Sequence, residues 1–148
     1  MSDSNPTFKI QKKYILGLGN WLNSLSLVGR ESRERTKFVE MLAEDSKENE
    51  LMRVELVKKY AETDATGELV IVKDEKEGEH YNIPDDKMSE FQKEMMKYLD
   101  EDFVIQGEGN KQRLNTVKSI VLDTQEKISG QFAVQYDAWC DAFEKMEV

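Results

Sequence analysis

Apolar side chains recur every three or four residues through most of this sequence, the spacing that lays them along one face of an α-helix. Tyr14, Ile15, Leu18, Trp21, Leu22 and Leu25 follow it, and so do Leu114, Val117, Val121, Thr124 and Ile128. Phe132, Tyr136, Trp139, Phe143 and Met146 repeat it out of phase with the preceding set, and the break falls at Ser129–Gly130. The pattern predicts two packed helices with a tight turn there and Ser129 as N-cap; one long helix with a stutter is the alternative.

Phe38, Leu42, Met52, Leu56 and Tyr60 predict a long helix from Arg30 or Glu31 to about Tyr60. Asp45 and Asn49 fall on its apolar stripe, so the middle of this helix is expected to be exposed or to meet a polar partner. Pro84–Asp85–Asp86 opens a further helix, its acidic residues at the positive end, with Met88, Phe91, Met95, Tyr98 and Leu99 as the buried face. Phe8–Gln11 alternates like a strand; Leu69–Val72 and His80–Ile83 predict a β-hairpin, and Phe103–Ile105 a further strand. Gly17 and Gly19 inside the first helix each weaken it by ~1 kcal/mol against alanine, which marks close packing or a bend. The fold class is therefore α+β, mainly α: a five-helix bundle-like core with one long helix and a C-terminal helical pair, plus a small β-hairpin or sheet. Residues 1–7 read as a flexible tail and 8–148 as a single mainly helical domain.

A chain of 148 residues buries a core without disulfide or metal staples. Its one cysteine, Cys140, allows no intrachain disulfide, and no apolar run is long enough to span a bilayer. Met1–Pro6 lacks the regions of a signal peptide, so a reducing cytoplasm is the expected setting. Thirty acidic against twenty-one basic side chains give a formal charge of −9. Such a field repels nucleic acid and anionic membrane, so direct binding to either is not expected.

Catalytic and metal chemistry find little footing. Nucleophilic catalysis needs a base beside the nucleophile, and the only histidine, His80, falls in the hairpin. Cys140 reads as a small buried hydrophobe. Structural zinc needs about four Cys or His ligands, more than the chain has. Asp64–Glu68 is too sparse for a calcium loop, and Gly17–Leu18–Gly19 lacks the third glycine of a dinucleotide site. No catalytic residue, cofactor or metal is expected. The feature that departs most from its background is Arg30, Arg33, Arg35 and Lys37, four cations in eight positions of an acidic chain. Arg30, Arg33 and Lys37 share a helical face, either to pair with the chain's own carboxylates or to bind an acidic partner or phosphate. The Trp139/Phe143 stripe reads as core, with a self-association seam as the alternative.

Trp21–Leu25, Leu27, Gly29–Arg30 and Ser32–Phe38 carry a resemblance. With them go Gly109–Asn110, Leu114, Thr116–Lys118, Ile120, Ser129–Gly130, Tyr136–Asp137 and Trp139–Glu144. In this order and spacing the chain resembles a family of small proteins, a domain of unknown function, encoded by tailed phages and prophages of Gram-positive bacteria. The resemblance implies a phage origin and a host-cytoplasm setting, and it brings no catalytic residues. The expected function is a non-catalytic protein-interaction protein, in virion assembly or on a host factor. An acidic nucleic-acid mimic that inhibits a host defence or DNA-binding protein is one alternative, and an enzyme with an unrecognised carboxylate site another. Elemental analysis of protein purified without chelators is expected to find no stoichiometric transition metal; one metal ion per chain would overturn this.

Overall fold

The computed structural model describes residues 6–76 and 78–146, apart from the side chain of residue 131. Its fold is α+β and mainly α, with five α-helices and two small antiparallel sheets among the described residues. Strand β1 (Thr7–Gln11) leads through one 3-10 turn (Lys12–Tyr14) into α1 (Ile15–Ser24) and the long α2 (Gly29–Tyr60). Strands β2 (Ile71–Asp74) and β3 (Gly78–Tyr81) precede α3 (Asp85–Leu99), and β4 (Asp102–Gln106) precedes α4 (Lys111–Leu122) and α5 (Gly130–Glu144). Contacts gather into two compact units, Met1–Ser46 with Glu101–Val148, and Lys47–Asp100. Residues 8–148, read from sequence as one domain, are thus shared between them. Of the expected tail, residues 1–5 lie outside the described residues, while Pro6 is fully buried and Thr7 opens β1.

The first unit holds the hydrophobic core. Strand β1 pairs antiparallel with β4, setting Phe8 opposite Ile105 and Ile10 opposite Phe103. Directly opposed residues share a face, so this face drives Phe8, Ile10 and Ile105 into the interior. Phe8 meets Phe143 of α5 at 4.5 Å and Phe38 of α2 at 5.6 Å between ring centroids. Ile15, Leu18 and Leu22 of α1, with Leu114, Val117 and Val121 of α4, complete the buried cluster. Gly17 lets α1 approach α5: a Cβ there would run into the Gln135 side chain and lie 3.3 Å from the Trp139 ring. Trp139 is fully buried, and its indole N–H donates to the Tyr14 carbonyl at 3.1 Å, which removes the penalty of an unpaired donor. The Trp139/Phe143 stripe is core.

The second unit is thinner. Tyr60 and Phe91 meet edge to face at 6.3 Å, and Lys59 pairs with Glu94 at 2.9 Å. Ala61 is the fully buried apolar residue among its described residues, whereas Met88, Phe91, Met95, Tyr98 and Leu99 of α3 are half-buried. The buried face expected of α3 is therefore only partly covered.

Three local expectations need correction. The strand at 103–105 is not part of the hairpin sheet; it pairs with β1, from which α1, α2 and α3 separate it in sequence, so there are two separate sheets among the described residues. The hairpin strands are displaced to Ile71–Asp74 and Gly78–Tyr81, because Leu69 bridges Thr63 and Val70 donates to the Glu62 carbonyl. Helix α4 ends at Leu122, leaving Thr124 and Ile128 in a connector rather than a tight turn at Ser129–Gly130. The Thr124 hydroxyl accepts from the Glu126 amide at 3.1 Å, a local bond that competes with helix continuation. Ser129 stands at the N-cap of α5 with extended backbone, but its side chain makes no capping bond. Among the described residues no helix is long and apolar enough to cross a membrane.

Trp139→Ala leaves a large hole and an unbonded Tyr14 carbonyl, and is expected to cost about 3–5 kcal/mol. Urea denaturation measures this; a midpoint equal to the parent's would show that the ring does not carry the core.

Candidate functional site

The cationic cluster lies at the start of α2, where Gly29 takes a positive φ of 43° and turns the chain from the Ser26–Val28 connector into the helix. Its four members have two fates. Arg35 turns inward: its Nη1 donates to the Leu22 carbonyl at 2.6 Å and the Leu25 carbonyl at 2.9 Å, and Nη2 reaches the Ser32 hydroxyl at 3.4 Å. The last carbonyls of a helix have no partner within it and favour a cation. Arg35 thus caps α1 and ties it to α2. Arg30, Arg33 and Lys37 are exposed, and none has an ion-pair partner among the described residues. The carboxylate that helical spacing offers Arg30 is Glu34, four residues on. Glu34 is engaged elsewhere, by Arg113 of α4 at 3.1 Å.

Internal pairing, one of the two expectations for the cluster, is therefore met for none of Arg30, Arg33 and Lys37 among the described residues. What the fold presents is a row of three solvated cations. Cations here also sit at the positive end of the α2 dipole, where they are disfavoured.

The buried charge lies elsewhere, at a position where the sequence offered either exposure or a polar partner, and the partner is what is found. Lys12, in the 3-10 turn after β1, bonds Asp45 of α2 at 2.7 Å, and each side chain is only 10% exposed. Asp45 falls on the stripe of Phe38 and Leu42, so the covering of that stripe by the first unit also covers the carboxylate. Its Oδ2 is buried with no hydrogen-bond partner. A carboxylate on an apolar stripe was the available signal; its lysine, 33 residues upstream, was not.

Four further titratable groups have defined surroundings. His80 of β3 is half-buried, with Nδ1 buried and unpartnered. It borders a groove of about 410 Å³ lined also by Val54, Val57, Tyr81, Ile83 and Phe91, a lining that brings no serine, threonine or cysteine to the imidazole. Cys140 is half-buried, and burial pushes its thiol up, away from the nucleophilic thiolate. Burial likewise pushes the Tyr136 phenol up to about 12, and that hydroxyl donates to the Val121 carbonyl at 2.7 Å, closing the end of α4. Asp64 is held below its usual range by the hydroxyl and amide of Thr66 and the amide of Glu68, a self-contained turn. Among the described residues no three His, Cys, Asp or Glu side chains converge on a point that suits a metal ion.

Comparison with protein-family models, with curated proteins and with solved structures finds no match.

The buried pair makes a sharp test. Lys12→Met leaves the Asp45 carboxylate buried without its ammonium and is expected to cost about 3–5 kcal/mol, whereas replacing both partners with apolar residues costs less. Chemical denaturation of Lys12→Met, Asp45→Leu and the double variant distinguishes these. A double variant as unstable as the sum of the singles would show that the two groups do not act as a pair.

Proposed function

We propose that this chain is a non-catalytic, phage-encoded interaction protein of the host bacterial cytoplasm, and that it binds a protein partner through the exposed face of α2. The phage assignment rests on the resemblance of the residues from Trp21 to Glu144 described above. One observation carries the choice of face: Arg30, Arg33 and Lys37 are exposed and lack carboxylate partners among the described residues of a chain with formal charge −9. Solvated cations that do nothing for the fold are inexpensive to keep, and their field attracts an acidic surface over roughly a Debye length, ~8–10 Å at physiological salt. Arg35 serves the fold and is not part of the binding row.

The reading separates stability from binding. Arg33→Ala/Lys37→Ala is expected to leave the melting temperature within about a degree or two, since exposed substitutions fall within roughly ±0.5 kcal/mol. Capture of the partner from infected host lysate should weaken and lose part of its salt dependence. A variant that captures as the parent does, with the same salt dependence, would remove this face from consideration. Arg35→Ala is the control, expected to lower stability through the uncapped end of α1.

A further inference from the structure

The cations of α2 are followed on the same face by anions. Positions 33, 37, 40 and 44 are separated by four, three and four residues, so Arg33, Lys37, Glu40 and Glu44 lie within about 60° of arc on the helix. All four are exposed, and none has an ion-pair partner among the described residues. The row is basic in its first half and acidic in its second, and it reverses sign about the midpoint between Phe38 and Val39. Within one chain each half holds like charges four residues apart, an arrangement that opposes itself by a few tenths of a kcal/mol.

A row of this kind is its own complement when reversed. We propose that the partner this face fits is a second copy of the chain, docked with the two α2 helices antiparallel. This rests on the reading of α2 as the interaction face and names its occupant. A two-fold axis through the midpoint sets Arg33 against Glu44 of the other copy and Lys37 against Glu40, and symmetry doubles each pair, giving four; at the ends of the row Arg30 comes level with Lys47 of the other copy, a like-charge pair that opposes them in part. The match is one of spacing as well as sign, because Arg33–Lys37 and Glu40–Glu44 both rise about 6 Å along the helix.

Charge complementarity selects this occupant over the others. A nucleic-acid backbone engaging Arg33 and Lys37 meets Glu40 and Glu44 directly beyond them, about 4.5–10.5 Å from Lys37 along the axis. An acidic segment of another protein uses only the basic half. A second copy uses both halves at once. The contact is polar and solvated, so the dimer is weak and strongly dependent on salt.

Analytical ultracentrifugation of the full chain over a concentration series tests this. The parent is expected to dimerise at low ionic strength and to dissociate as it rises from about 0.01 M to 1 M, where the screening length falls from about 30 to 3 Å. Arg33→Glu/Lys37→Glu makes the row wholly acidic, and Glu40→Lys/Glu44→Lys makes it wholly basic. Each is expected to stay monomeric alone, an equimolar mixture of the two to form a heterodimer, and the four-fold swap to dimerise again. Circular dichroism melting confirms that each variant is folded before it is scored. A parent that stays monomeric at low salt overturns the proposal, as do reversal variants that dimerise like the parent or a mixture that does not associate. If the parent is monomeric but Arg33→Ala/Lys37→Ala still weakens capture of a host or phage protein, the self-pairing fails and the binding face stands. If capture is also unchanged, both fail.

Discussion

Phe8, Phe38 and Phe143 meet in the interior of the first unit, and this contact holds a strand, the long helix and the last helix to one another. The rest of that unit depends on it. Phe8 is brought inside because β1 pairs with β4, and Ile105 follows it to the same face. Trp139, one turn before Phe143, is carried to the point where α1 passes closest, and Gly17 makes the room. The hydrophobic term is non-directional. What gives this core a single arrangement is the set of directional bonds at its edge: indole to Tyr14, phenol of Tyr136 to Val121, guanidinium of Arg35 to the end of α1.

Three charged side chains beside the core have specific partners, and this sorts the charges of α2. Asp45 is held by Lys12, Glu34 by Arg113, and Arg35 by backbone carbonyls. The charges left without such a task are the exposed ones. A charge that is buried and paired serves the fold, because removing its partner strands it in a poorly solvated place. A charge that is exposed and unpaired costs the fold little and is available to another molecule. On α2 the exposed Arg30, Arg33, Lys37, Glu40 and Glu44 lie within about 80° of arc, while Arg35 is on the far side of the helix with Phe38 and Leu42.

The second unit differs in kind. Its helices present amphipathic faces, yet among its described residues only Ala61 is fully buried, and its ion pairs Lys59–Glu94 and Arg53–Glu50 are solvated. Contacts of this sort contribute little each. Local opening is expected to be easier here than around Trp139, where the packing is dense.

Much of the local architecture was determined by the sequence alone. The three-to-four spacing of apolar residues placed α1, α2, α3 and α5 and named Trp139 and Phe143 as core, because a helix buries one face and the period records which. The phase change before Phe132 marked the helical pair, though not the connector that Thr124 and Glu126 shape by a bond between themselves. Charge counting singled out Arg30, Arg33, Arg35 and Lys37 as a cluster. Only the tertiary structure divided that cluster, since Arg35 differs from Arg33 by two positions, about 200° around the helix, and by what happens to lie on that side. Only the tertiary structure joined β1 to β4 and Lys12 to Asp45. Both contacts bring together residues far apart in the chain, and no local period carries information about a partner that arrives from elsewhere.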